Sequence, residues 1–253
     1  MIKLTDSHTH ILPSDVPNYQ EILENLNQNN IKRIIINGYN DKTNKEVLEL
    51  VSKYENVYGA LGFHPDNINE LTKDSLEFIE ENLNNPKIIA IGEIGLDYYH
   101  NKENKAAQIK LLEKFLELSI KTKKPVIIHS REATGDLITT IKKYSTKGII
   151  HCFNGSKETA NIFLKLGYKL GIGGVITFKN CKLKEEIKDL SPNSFLLETD
   201  APYLTPEPYR GKPNEPKYII YTLKTLSSAL NINEEELSNI LENNFYELFD
   251  IKD

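Results

Sequence analysis

Short runs of β-branched and aliphatic residues alternate with longer segments of helical spacing from one end of the chain to the other. The strand candidates are Ile2–Thr5, Arg33–Asn37, Val57–Gly62, Ile88–Gly92, Val126–His129, Gly148–His151, Lys169–Gly173 and Ser194–Thr199. Between them, Asn104–Lys121 places Ile109, Leu112, Leu116 and Ile120 at spacings of three and four, the signature of one buried helical face. Asn233 with Glu236 predicts a capped start for a last helix, whose Leu237, Ile240, Leu241, Phe245, Leu248 and Phe249 form a stripe. Asp41–Tyr54 and Thr72–Leu83 follow the helical pattern less sharply.

Eight strands separated by helices in 253 residues predict a parallel α/β barrel. A doubly wound open sheet is the alternative, but the number of units and the missing glycine-rich phosphate fingerprint count against it. No linker, low-complexity tract or charge block divides the chain, so residues 1–253 read as one catalytic barrel domain. Ala201–Pro216, with prolines at 202, 206, 208, 213 and 216, is the irregular stretch. It is expected to wall the site; a long connection is the plainer alternative.

Composition narrows the partners. Lys plus Arg number 31 against 36 Asp plus Glu, a net charge of −5, which argues against a broad basic face for long nucleic acid. Any phosphate substrate must be gripped locally. The N-terminus shows no apolar run of signal-peptide length, and the apolar stretches are strand-sized, so neither a secretory segment nor a membrane span is expected. Two cysteines, Cys152 and Cys181, build no disulfide framework, and the expected compartment is the cytoplasm. Only three cations are arginine: Arg33, Arg131 and Arg210.

The chemistry-bearing residues fall at strand ends. The first candidate runs into Asp6-Ser7-His8-Thr9-His10, the third into His64, the fourth into Glu93. The fifth ends at His129, the sixth at His151 and the eighth at Asp200; only His100 falls elsewhere and reads as ordinary loop packing. In a barrel those C-terminal ends share one face, where catalytic groups gather. Taken singly, a histidine at a strand end is commonly a hydrogen-bonded structural residue. Taken together, imidazoles and carboxylates in these numbers point to a site for two divalent ions, Zn²⁺ or Mn²⁺ by ligand type. Such a site supports hydrolysis. Glu93 suits a bridging carboxylate and Asp200 a ligand that also orients or deprotonates water, although Glu93 as a helix cap and Asp200 as an ion-pair partner stay open.

DSHTH (6–10), GFHP (62–65), GEIGLDYY (92–99), PVIIHSR (125–131), IIHCFNG (149–155) and LETDAPYLTPEPYRGKPNEP (197–216) resemble, in order and spacing, the TatD family of metal-dependent deoxyribonucleases. The resemblance implies a TIM-type (β/α)8 barrel of the amidohydrolase-like kind. It also implies metal ligands at His8, His10, Glu93, His129, His151 and Asp200, with Mg²⁺ joining Zn²⁺ and Mn²⁺ as candidate ions. By the same likeness the activity is a 3′-to-5′ exonuclease or repair-type phosphodiesterase on DNA ends or single strands. D-aminoacyl-tRNA deacylation is the alternative, and His64 is implied in substrate phosphate contact. Asn154 departs from the commoner Ser or Thr, which touches selectivity; its amide can still donate to phosphate.

Arg210 with Lys212 is expected to clamp phosphate, while Arg131 either points into the same mouth or pairs outside it with Glu132. Arg33 reads as structural, and Cys152 as a small buried side chain turned away from the metals. Tyr99 and Tyr203 are candidates to stack on bases, with Tyr98 favoured as filler. A carbamylated-lysine amidohydrolase fits poorly because the fourth strand offers Glu93 and no Lys, and a PHP-type phosphoesterase fits the ETDAP segment poorly. The expected enzyme is a monomer acting on short or end-directed DNA.

Overall fold

Ile34, Ile35 and Ile36 are consecutive on one strand and all fully buried. Alternation sends neighbouring side chains to opposite faces, so a strand buried on both faces needs cover on both, the condition of a parallel sheet wrapped by helices. The computed structural model describes residues 2–251. Its strands are β1 (Leu4–Thr9), β2 (Ile31–Asn37), β3 (Val57–Leu61), β4 (Ile88–Asp97), β5 (Val126–Arg131), β6 (Gly148–Ile150), β7 (Tyr168–Ile172) and β8 (Phe195–Leu197). They form one eight-stranded sheet, parallel throughout and in sequence order. The helices are α1 (Tyr19–Glu24), α2 (Asp41–Lys53), α3 (Lys73–Asn82), α4 (Lys105–Thr122), α5 (Thr134–Ile141), α6 (Lys157–Lys165), α7 (Leu183–Ile187), α8 (Ile219–Leu230) and α9 (Glu234–Phe249). This is the expected (β/α)8 barrel, and among the described residues no helix is long and apolar enough to cross a membrane.

The core splits as the pattern requires. Ile34 and Ile36 join the layer between strands and helices. Ile35 gathers with Ala60, Ile89, Ile127, Ile149 and Leu196, side chains of different strands that meet only inside a barrel. Phe245, Leu248 and Phe249 of α9 plug that interior. Arg33, at the start of β2 and nearly fully buried, fastens the plug: its Nη1 donates to Glu242 Oε1 at 2.7 Å and its Nη2 to the Tyr246 hydroxyl at 2.9 Å. It is structural, as expected.

Three strands, β1, β4 and β5, outrun their expected ends. β1 continues through the DSHTH segment to Thr9, and β4 runs on past Glu93 to Asp97. The β4 extension pairs Gly95 with His129 and Asp97 with Arg131 on β5. Gly95 makes this possible: its φ is +149°, and a Cβ there would stand 2.0 Å from the His129 carbonyl oxygen.

The barrel closes where β1 meets the segment after β8. Thr9 bridges Ala201, Asp200 N–H donates to His8 O at 3.0 Å, and His10 N–H donates to Ala201 O at 2.7 Å. Asp6 completes the seam, accepting from Thr199 N–H at 2.9 Å and from its hydroxyl at 2.5 Å. Burial pushes the Asp6 carboxyl well up, against the pull of these hydrogen bonds. Asp6→Ala strands the Thr199 donors in a dry seam. We expect a stability loss of about 2–4 kcal/mol by urea unfolding; a loss under about 1 kcal/mol would mean that backbone bridges alone hold the seam.

Candidate metal centre

The C-terminal strand ends open into a cleft of about 460 Å³, with Glu93 at its base. The two oxygens of Glu93 face different histidines. Oε2 lies 3.1 Å from His10 Nε2 and 3.5 Å from His8 Nε2. Oε1 lies 3.0 Å from both His129 Nδ1 and His151 Nε2, and 3.6 Å from His64 Nε2. Asp200 Oδ1 stands 3.5 Å from His8 Nε2 and 3.7 Å from His10 Nε2. Within each pair the ring nitrogens confront each other, His8 Nε2 to His10 Nε2 at 3.1 Å and His129 Nδ1 to His151 Nε2 at 3.2 Å.

Convergent imidazole and carboxylate lone pairs in so buried a place are expensive unless protons or cations lie among them. The donor set fits a cation: His8–His10–Glu93, His8–His151–Asp200 and His64–Glu93–His129 each bring their ligand atoms within 4.8 Å. His8, His10, Glu93, His151 and Asp200 are buried, and His129 is partly so.

Electrostatics sort these groups. Burial alone would raise the Glu93 carboxyl, but the surrounding His151, His64, His10 and His129 hold it well below the usual range. Burial pushes His8 well down and His64 down to about 3. His10 and His151 are raised despite burial by Glu93, with Glu198 added for His151, and His129 is raised by Asp97 and Glu93. Burial lifts Asp200 to about 6, against the pull of His151 and His10.

Metal uptake must therefore expel protons. As pH falls, protons return first to the raised imidazoles of the metal-free protein, above their ordinary range, and then to Asp200 at about 6, so affinity falls with decreasing pH across that whole span. Calorimetric titration between about pH 5 and about pH 8 is expected to show a loss of about tenfold per pH unit for each proton displaced. A flat profile would exclude these groups as ligands.

Other expected site residues are placed differently. His64 lines the cleft, edge-on to His129 with ring centroids 4.5 Å apart. Asn154 does not line it: it opens on a separate side cavity of about 160 Å³ that shares His151, and its Oδ1 faces Cys181 Sγ at 3.5 Å. Arg210 and Lys212 also lie off the cleft, correcting the expected clamp. The Thr205 hydroxyl donates to Lys212 O and folds the loop back, so Arg210 stacks on Phe178 at 3.9 Å and Lys212 lies over Tyr209. Arg131 takes the mouth instead, 3.9 Å over the Tyr99 ring. Tyr99 and Tyr203 are 57% and 53% exposed, whereas Tyr98 is buried and donates to Asp136. Cys152 is only partly buried; β6 stops at Ile150, so strand alternation no longer governs it.

Two carboxylates went unassigned in the sequence. Asp97 accepts from Tyr99 and His100 N–H through Oδ1, at 2.8 and 2.9 Å. Its Oδ2 faces His129 Nε2 at 3.2 Å and His100 Nδ1 at 2.9 Å. His100 thus lines the cleft, correcting its reading as ordinary loop packing. Glu198, fully buried, lies 3.7 Å from His151 Nδ1. The signal was available: Asp97 lies four residues beyond Glu93 on one strand, and Glu198 two before Asp200.

Residues 5–250 match the family model described as TatD related DNase. The chain is 35% identical to the uncharacterized metal-dependent hydrolase YabD of Bacillus subtilis (strain 168), covering 98% of this chain and 99% of that protein. The crystal structure of YjjV, a TatD homologue from Escherichia coli K12, superposes with a TM-score of 0.93 at 32% identity, covering 98% of both chains. A TatD family hydrolase from Entamoeba histolytica, at 24% identity and a TM-score of 0.85, shares the fold. With its barrel, its buried imidazole–carboxylate cluster and these relatives, the chain belongs to the TatD family of metal-dependent hydrolases.

Proposed function

We propose that this hydrolase is a two-ion phosphodiesterase that shortens DNA from 3′ ends or in single strands. The observation that carries the reading is the division of Glu93, one oxygen toward His8 and His10, the other toward His129 and His151. A bridging carboxylate needs that arrangement, and Asp200 adds an oxygen ligand on the His8–His10 side. Histidine-rich ligation favours Zn²⁺ or Mn²⁺ over Mg²⁺, which prefers oxygen. Ions bound there would polarise the phosphoryl oxygen and acidify the attacking water.

The protein's own groups supply the rest. Asp200, lifted to about 6, accepts the proton of the attacking water. His64 Nδ1 accepts the Asp66 N–H at 3.2 Å, so the neutral ring carries its proton on Nε2, directed at the cleft. That N–H donates to a phosphate oxygen, and Arg131 at the mouth takes a neighbouring phosphate. Exposed Tyr99 and Tyr203 offer stacking surfaces for unpaired bases. This local grip suits a chain of net charge −5.

The test uses chelator-stripped protein and single-stranded DNA labelled at its 5′ end, with Mg²⁺, Mn²⁺ or Zn²⁺ added back. A metal-dependent ladder shortened from the 3′ end is expected. No ladder with any ion, together with turnover of a D-aminoacyl-tRNA ester, would replace the nuclease reading with a deacylase.

A further inference from the structure

Glu198 plays no part in that chemistry, yet it is completely buried beside the cluster. Its Oε1 accepts the Cys152 N–H at 2.5 Å and stands 3.7 Å from His151 Nδ1; its Oε2 has no partner. His151 Nδ1 is equally buried and equally without a partner, while the other ring nitrogen, Nε2, faces Glu93 at 3.0 Å. A buried ring nitrogen and a buried carboxylate, each short of a partner, stand next to each other.

The backbone makes room for this carboxylate. A Cβ at Gly171 on β7 would lie 2.2 Å from Glu198 Oε2 and 2.8 Å from Cδ. A β-carbon at 171 and the carboxylate exclude each other, so a larger residue there presses the carboxylate aside; the same Cβ would stand 3.1 Å from His151 Cα. On the far side, Cys152 turns into the left-handed region at φ +49°, with its N–H on Oε1. His8 stacks on His151 with ring centroids 4.0 Å apart, so the ring plane is set by packing and its two nitrogens face Glu93 and Glu198.

We propose that Glu198 is the positioning residue of His151: it accepts the Nδ1 proton, fixes the tautomer and leaves the Nε2 lone pair directed at the metal. Asp97 stands in the same relation to His129, with Oδ2 at 3.2 Å from the ring nitrogen that faces away from Glu93. Carboxylates behind ligating imidazoles raise their basicity and hold their orientation. The inference rests on the reading of His151 as a metal ligand.

The test measures Zn²⁺ and Mn²⁺ affinity of the metal-stripped protein by competition with a chromophoric chelator, and ring ¹⁵N shifts of the metal-free protein with its imidazoles neutral, where no ion dictates the tautomer. Glu198→Ala and Gly171→Ala are expected to weaken binding about 10- to 100-fold. In both, His151 passes from the Nδ1-protonated tautomer to a mixture. Glu198→Gln, whose side-chain oxygen still accepts, keeps the tautomer. If Glu198→Ala fails to fold, Gly171→Ala and Glu198→Gln decide. Wild-type affinity and tautomer in Gly171→Ala overturn the proposal, whatever happens to the unfolding midpoint. His151→Ala separates the two readings: wild-type affinity there removes His151 as a ligand. Lost affinity there, with unchanged affinity in the Glu198 and Gly171 variants, removes only the role of Glu198.

Discussion

Glu93→Gln is expected to lower turnover by about 10³-fold or more, roughly 4 kcal/mol of barrier, and to reduce the metal content of the purified protein. An amide has the same shape but only one acceptor oxygen. It cannot serve both the His8–His10 side and the His129–His151 side, which the carboxylate reaches at 3.0–3.5 Å. It also removes the charge that keeps His10, His129 and His151 raised in the metal-free protein. Those rings answer by releasing protons, so the stripped variant is expected to unfold within a few degrees of wild type near neutral pH. Glu93→Asp keeps two oxygens on a shorter stem and should fall between. The checks are single-turnover rates at saturating metal and elemental analysis. Wild-type turnover in Glu93→Gln would remove the bridge on which the two-ion reading stands.

Much of this site was legible because strand ends in a barrel share one face. Strand count and terminal position grouped His8, His10, Glu93, His129, His151 and Asp200 with Asp6 and His64, and the family resemblance picked out the six; in the structure those six gather around Glu93, while Asp6 turns into the seam. The legible part ended where a side chain's direction depends on loop geometry. Arg210 sits in a promising motif, but the loop from Thr205 to Lys212 folds onto itself and delivers it to Phe178. Arg131 and His100 reach the cleft because β4 and β5 run on together past their expected ends, an extension that Gly95 permits. Asp97 and Glu198 were passed over for a different reason. They back histidines, Asp97 from the cleft wall and Glu198 from full burial; their spacing to Glu93 and Asp200 is visible in the sequence, but which histidine each one backs depends on distances that only the fold sets.

Asp200→Asn is expected to produce a different failure: turnover lower by about 10²- to 10⁴-fold with most of the metal retained. Asp200 adopts a left-handed backbone at φ +57°, which Asn tolerates equally, so the loop that starts here keeps its course. The asparagine oxygen can still face His8 and His10, but the side chain cannot take a proton from water. In the metal-free protein burial lifts the Asp200 carboxyl to about 6. A cation alongside favours the ionised form, so in the loaded enzyme the acid limb of the pH–rate profile should lie below about 6, with activity rising as pH increases through it. Asp200→Asn should lose that limb along with the rate. A fall of less than about tenfold, with the limb intact, would assign the proton to another group. The two variants are most informative together. Glu93→Gln should lose metal and rate in step, and Asp200→Asn should lose rate while holding metal. The reverse pattern would exchange their roles, placing the bridge at Asp200 and the proton at Glu93; the well-lowered pKa of Glu93 argues against that, because so weak a base is poorly matched to accepting a proton from water near neutral pH.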